Sequence, residues 1–262
     1  MRFSIILPTW NNLKYLKICL DSIKRNSKYK HDLNIHVNEG SDGTVEYLSN
    51  SGIKFNHSVQ NLGLCKGANS AASLVETDHI LFSHDDMYFL PNWDFFLSEE
   101  VKKIKTNLYY FSGTMMGPKG CGFIEFNCGT TADEFDEVKL LNNYDNFNYY
   151  DHQGTHWNPH VIHKTIWDRI EGFSQEFDPG FASDVDLNMK LWKLGVRIFK
   201  GIDKFKVYHF GSISTRKKKE LVRNKGNRSF LLKWGISSNL FIRFYLNTGK
   251  LYNGPLNDKP NV

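Results

Sequence analysis

Over the first hundred residues, short continuous apolar runs alternate with rows of apolar residues at helical spacing. Phe3–Leu7 is almost uninterruptedly apolar and stops at Pro8, which predicts a strand buried on both faces. Asn11 and Asn12 stand where a helix N-cap belongs, ahead of Leu16, Leu20 and Ile23 on one helical face. Leu33–Val37 reads as a second strand, the turn Gly40-Ser41-Asp42-Gly43 follows, and Val45 and Leu48 mark a short helix. Ile53–Val59 is a third strand, and Gly63 and Gly67 open a helix that ends near Leu74. His79–Ser83 is a fourth strand, followed by His84-Asp85-Asp86 and a helix over Trp93–Ile104.

Such alternation predicts an α/β domain around an open, mostly parallel sheet. Ligands of these sheets bind beyond the carboxyl ends of the strands. The polar clusters Thr9–Asn12, Asn38–Asp42, Asn61–Lys66 and His84–Asp86 all fall there.

After about Asn107 the pattern is mixed. Tyr109–Met115 and Phe123–Cys128 read as strands, Asp133–Leu141 as a helix, and 142–160 as a polar and aromatic loop. Asp184–Leu194 is helical, with Leu187, Leu191 and Leu194 on one face, and Phe205–His209 is a final strand. Helices near Lys217–Lys233 and Asn239–Leu246 close the chain.

The 262 residues suffice for one sizeable core. The net charge of +5 is unevenly spread. From Arg216 onward, eleven Lys and Arg face only Glu220 and Asp258, so the first 215 residues carry about four more acidic than basic groups. This basic cluster is either a solvated helix face or a surface for phosphates or an anionic membrane. Cys19, Cys65, Cys121 and Cys128 form no CxxC pair, as expected of reduced thiols in a cytoplasmic protein, although Cys121 and Cys128 could bridge a hairpin. No apolar stretch reaches the ~20 residues of a membrane span. Localisation is therefore expected to be cytoplasmic, extending to the cytoplasmic membrane surface through the basic tail.

Several side chains could carry chemistry. Asp85 and Asp86 end a strand on opposite faces, so one can hold a hard cation and the other a ribose; alternatively the pair caps the next helix. Ser183 and Asp186 fit a capping box, and Asp186 faces Lys190 one turn on. Asp184 lacks that role and can serve as a general base. His209, between Tyr208 and Phe210, alone reads as a core histidine. Trp157, in Thr155-His156-Trp157-Asn158-Pro159, is a sugar platform or simply core.

In order and spacing, these segments resemble the GT-A glycosyltransferases of family 2 over nearly all of residues 2–215. Ser4-Ile5-Ile6-Leu7-Pro8-Thr9-Trp10-Asn11 resembles that family's first strand and nucleotide loop. Val37–Thr44 resembles the segment whose acidic residue grips the donor base, and Asn61-Leu62-Gly63 with Lys66, Gly67 and Asn69 its Asn-x-Gly element. His84-Asp85-Asp86 stands at the DxD-type metal motif. Ile170-Glu171-Gly172-Phe173 and Ser183-Asp184-Val185-Asp186-Leu187 stand at its GGF and ED-x-DL stretch, and Tyr208-His209-Phe210-Gly211 at its late histidine. Three departures stand out: Asn38 replaces an Asp, the turn after it is one residue short, and Ser183 replaces a Glu.

The resemblance implies a GT-A, Rossmann-like nucleotide-diphospho-sugar transferase fold with a mixed central sheet and a helical, basic C-terminal tail. It divides the chain into a donor-binding half (1–110), an acceptor-binding and catalytic half (111–215) and an extension (216–262). It implies an inverting transfer of sugar from a nucleotide-diphosphate donor, UDP-sugar favoured, to a hydroxyl of a glycan or lipid-linked acceptor. Asp184 would be the base, Asp86 and His209 the ligands of Mn²⁺ or Mg²⁺. Pro8, Thr9, Trp10, Asn11, Glu39, Asn61, Lys66 and Asp85 would hold the donor, and Trp157 and Asp186 the acceptor. A non-catalytic sugar- or partner-binding module on the same fold is the competing reading. A nucleotidyltransferase is another, but Pro8–Asn12 lacks the Gly-rich loop it would need. No nucleic-acid partner is expected, since no recognised motif accompanies the basic tail.

Overall fold

A computed structural model of the protein describes residues 1–211 and 219–260. Arg216, Lys217 and Lys218 of the basic cluster lie outside the described residues. The first half runs β1 (Ser4–Trp10), α1 (Leu13–Asn26), β2 (Asp32–Asn38), α2 (Thr44–Ser51), β3 (Lys54–Ser58), α3 (Leu64–Ala72), β4 (His79–Phe82), β5 (Met87–Phe89) and α4 (Trp93–Lys103). The second half adds β6 (Tyr109–Gly117), β7 (Ile124–Glu125), α5 (Glu137–Asn143), β8 (His152–Gln153), β9 (His160–His163), α6 (Lys164–Arg169), α7 (Ser183–Lys193), β10 (Ile198–His209) and α8 (Lys219–Trp234).

The sheet order is β3-β2-β1-β4-β9-β6-β10-β5, with β7 on β6 and β8 on β10. Strands β3, β2, β1 and β4 are parallel, as the alternating pattern predicts. Beyond them the sheet is mixed: β9 runs antiparallel to both β4 and β6, and β5 antiparallel to β10. One core face packs Leu16, Leu20 and Ile23 of α1 and Trp93 and Leu97 of α4 under the sheet. The other packs Ala68 and Ala71 of α3, Leu187 and Leu191 of α7, and Phe230 of α8. Each fully buried Leu, Ile or Phe stabilises the fold by roughly 1.5–3 kcal/mol, so the two faces hold the strand ends rigidly.

Two pairings decide where the chemistry falls. Chain reversal after β3 returns β4 beside β1, which opens a crevice at the carboxyl ends of those two strands. On the far edge, the β5–β10 register sets Met87 opposite His209, and Phe210 N–H donates to the Asp86 carbonyl (3.2 Å). Residues distant in sequence are thereby fixed side by side.

Some expectations change. The Phe123–Cys128 strand shrinks to β7, because Phe123 and Phe126 N–H donate to the Met115 and Gly117 carbonyls while the rest turns away. The helix expected from Asp133 starts at Glu137, capped by the Asp136 side chain. The loop over 142–160 contains β8. The helix expected over Asn239–Leu246 is a short turn at Ser238–Leu240 followed by a π-helical turn. All four cysteines are free, consistent with reduced thiols.

The Gly172-Phe173 corner is latched by Asn69, whose side chain both donates to the Phe173 carbonyl (2.7 Å) and accepts from Phe173 N–H (2.8 Å). Gly172 has φ 58°, and a Cβ there would stand 2.4 Å from Asn69 Oδ1 and 2.8 Å from the Trp167 ring. Gly172→Ala should therefore lower stability by about 1–3 kcal/mol, read as a shift of the urea midpoint; an unchanged midpoint would show that the corner is not tightly held.

Candidate functional site

At the end of β1, Thr9 Oγ1 donates to Asp85 Oδ2 (2.6 Å) and Asn12 Nδ2 to Asp85 Oδ1 (3.0 Å). Asn12 sits at the N-cap position of α1, yet its side chain does not cap the helix. Asp42 takes that role, accepting from Leu13 N–H (2.7 Å), which frees the Asn12 amide for Asp85. Asp85 is 9 % exposed, and its pKa is pushed up to about 7 by burial first and by the neighbouring Asp86 charge second.

Glu39 follows β2 with φ 60°, and Asn11 follows β1 with φ 45°. Such left-handed conformations in non-glycine residues cost about 1–2 kcal/mol each. They are held because Trp10 Nε1 and Asn11 Nδ2 both donate to Glu39 Oε2, each at 2.9 Å. Pro8 is buried beneath this junction, and Trp10 leaves its ring 40 % exposed. Asn38 turns inward and accepts from Leu62 N–H (2.8 Å), fastening the Asn61-Leu62-Gly63 loop to β2. Asn61 spends its carbonyl oxygen on Gly63 N–H in its own turn, and Lys66 is exposed on the first turn of α3. Asp178 covers that helix start, accepting from Cys65 N–H (2.7 Å). Thr9, Trp10, Asn11, Glu39 and Asp85 thus come together, with Asn61 and Lys66 on the adjoining rim.

Beside them lies a second group. His84, Asp86 and His209 each point one ligand-type atom into a space where all three lie within 4.8 Å of one another. Asp86 Oδ2 stands 3.5 Å from His209 Nε2. His209 Nδ1 is 3.0 Å from the Cys121 carbonyl, an acceptor only; Nδ1 therefore carries the proton and Nε2 presents its lone pair toward Asp86. Burial depresses the pKa of His84, offset by the charge of Asp86, so its ring is neutral and able to ligate. Two imidazoles and a carboxylate are a donor set that fits a divalent transition ion.

Asp184 occupies the first turn of α7, where it is partly exposed and set deep enough that burial pushes its pKa up to about 7. Asn158 joins it to the cation group: Nδ2 lies 3.4 Å from both Asp184 carboxylate oxygens and 3.1 Å from His84 Nε2, and Oδ1 meets His160 Nδ1 at 2.8 Å. Neither His84 nor Asn158 was among the residues singled out from sequence. His84 was visible as the first member of its motif, whereas Asn158 gains meaning only because β9 runs antiparallel between β4 and β6.

Expectations around α7 need correction. The capping box does not form, because the helix is entered through Ala182 at φ 67° and Ser183 Oγ donates to the Gly180 carbonyl (2.5 Å). Lys190 turns from Asp186 toward the Ile170 and Gly172 carbonyls. Asp186, expected at the acceptor, is fully buried; Trp234 Nε1 donates to it (2.8 Å) and Lys233 pairs with it (3.0 Å). Trp157, also expected there, is only 8 % exposed and donates Nε1–H to the Gly113 carbonyl (2.8 Å). It is covered by Phe123, whose ring lies 4.3 Å away and is 37 % exposed. Phe123 is thus more open than Trp157, as are Tyr150 and Phe181.

Residues 4–121 match the family model described as glycosyl transferase family 2. No curated protein matches the sequence. The fold is similar to that of S. aureus TarS. The TarS 1–349 structure aligns with a TM-score of 0.61 and 15 % identity over 88 % of this chain and 72 % of that one. The same fragment in complex with UDP gives 0.59 and 17 % over 79 % and 60 %, and in complex with UDP-GlcNAc 0.58 and 18 % over 79 % and 58 %. The chain thus spans about three fifths of the length of the ligand-bound TarS fragments, and the likeness establishes the GT-A fold.

Because Asn158 donates to the Asp184 carboxylate, it favours the charged form and partly opposes the effect of burial. Asn158→Ala should therefore move the Asp184 pKa above its value near 7, followed by carboxylate ¹³C NMR against pH. A downward shift, or none, would show that the amide does not act on Asp184.

Proposed function

We infer that this chain, whose residues 4–121 match the glycosyl transferase family 2 model, transfers a sugar from a nucleotide-diphosphate donor to an acceptor hydroxyl. The observation that carries this reading is the single amide of Asn158 touching both a carboxylate fit for a base and the rim of a cation group. UDP in the TarS structures supports a uridine donor, held here by the Trp10, Asn11 and Glu39 knot, with Asn61 and Lys66 on its rim. Asp85, braced by Thr9, would accept hydrogen bonds from the ribose. Residues 1–110 would then form the donor half, and 111–215 the acceptor and catalytic half.

His84, Asp86 and His209 would hold the divalent cation; two imidazoles favour Mn²⁺ over Mg²⁺. When bound, that cation offsets the charge gathering on the departing diphosphate. Asp184 takes the proton of the acceptor hydroxyl as its oxygen forms the new bond to the anomeric carbon. The bond from that carbon to the diphosphate oxygen breaks on the opposite face, inverting the centre. Phe123, rather than Trp157, would support the acceptor sugar of a glycan or lipid-linked acceptor. A non-catalytic module would instead bind donor without turning it over.

General-base assistance is typically worth ~10²–10⁴-fold. Asp184→Asn should reduce transfer by about that factor and leave donor affinity unchanged; full activity would remove Asp184 from the role. The base works deprotonated, so kcat/KM should fall as pH drops below about 7, and Asp184→Asn should lose the Asp184 part of that limb and keep only the part that Asp85 contributes through donor binding. A pH-independent rate from pH 5 to 8 in the wild type would contradict it. With UDP present, Mn²⁺ should raise the melting temperature, and Asp86→Ala should abolish the metal-dependent part of the rise. An equal rise in both proteins would place the cation elsewhere.

A further inference from the structure

Helix α8 has two unlike faces. Gly226, Phe230 and Trp234 turn inward: Phe230 is fully buried, and a Cβ on Gly226 would stand 2.4 Å from the Phe181 carbonyl. Trp234 and Lys233 reach Asp186, and Lys233 also pairs with Glu176 (2.8 Å). The helix backbone is thus pressed against the segment that leads into Asp184. At helical spacing, the opposite face carries Lys225, Arg228, Leu231 and Leu232, all exposed. Leu232 is 75 % and Leu231 47 % exposed, uncommon for adjacent leucines on a helix otherwise anchored to the core. The next turn leaves Leu240 38 % exposed, near exposed Arg243.

Apolar side chains flanked by cations on one helical face match the boundary of an anionic bilayer, where leucines enter the acyl zone and Lys and Arg meet phosphates. Residues 219–234 carry five basic groups against Glu220, so a second copy seated on the same face would set cation against cation. Nucleic acid would satisfy the charges but leave the leucines in water. We propose that the outward face of α8, through Leu231, Leu232, Lys225 and Arg228, docks the protein on an anionic lipid bilayer. Its inner face is packed against the entry to α7, so docking brings the Asp184 side of the site to the membrane. Resting on the transferase reading, this names the acceptor class as a hydroxyl of a glycan held at that surface by a lipid.

The test is co-sedimentation of the full chain with phosphatidylglycerol–phosphatidylcholine vesicles, against phosphatidylcholine alone. Binding should require the anionic lipid and weaken with salt. Leu231→Ser with Leu232→Ser should cut partitioning on the order of tenfold without changing charge, and Lys225→Gln with Arg228→Gln should reduce both binding and its salt dependence. Both variants should keep the Mn²⁺-dependent thermal shift with UDP, which checks folding and separates failure of docking from failure of the transferase reading. Equal binding by the serine variant, equal binding to neutral vesicles, or a leucine-dependent dimer in sedimentation would overturn the proposal.

Discussion

Asn158 Nδ2 stands between chemically different neighbours, donating toward the Asp184 carboxylate and lying 3.1 Å from His84 Nε2. Its Oδ1 is fixed by His160, so the amide cannot rotate without losing a buried partner. This residue joins the Asp184 side of the site to the His84 side. The base side depends on the left-handed entry into α7 at Ala182, and the cation side on the β5–β10 register that sets Asp86 beside His209. β9 is antiparallel to both of its neighbours, and it carries the segment holding Asn158 to the carboxyl end of β4.

Electrostatically, the cleft is built to be incomplete. Asp85 and Asp86 are adjacent and buried, and the partners of Asp85 are the neutral Thr9 and Asn12. Asp184 likewise meets a neutral amide rather than a cation. Burial in a low-dielectric setting raises the proton affinity of these carboxylates, the neutral donors offset it only in part, and both Asp85 and Asp184 are held near 7. That suits a base that must take a proton at neutral pH. It also leaves an excess of negative charge that a divalent cation would relieve.

The parallel half of the sheet was legible in the sequence because a strand buried on both faces reads as a continuous apolar run, as Phe3–Leu7 does. β5 was not, since Met87-Tyr88-Phe89 is only three residues long and follows two aspartates. Its antiparallel pairing with β10 is a long-range fact that periodicity does not encode. Motif reading singled out Asp86, His209 and Asp184 but not the contact of Asn158 with both Asp184 and His84, which needs three elements to converge. Local rules misassigned Asn12 and Asp186 for one reason: a cap is a competition for partners. Asp85 drew Asn12 away from its helix, and α8 drew Asp186 into the interior. Trp157 is buried because the Phe123 ring covers it, and which ring covers the other is not legible in sequence.

The central claim is that one cleft holds a cation by imidazole and diphosphate at once. Electron spin-echo spectroscopy of Mn²⁺ bound to the protein with UDP reads those ligands directly. The account predicts ¹⁴N modulation from histidine together with ³¹P coupling from the diphosphate, the nitrogen signal weakened in His209→Ala. Phosphorus coupling without any histidine nitrogen would contradict it, because the cation would then sit outside the group formed by His84, Asp86 and His209.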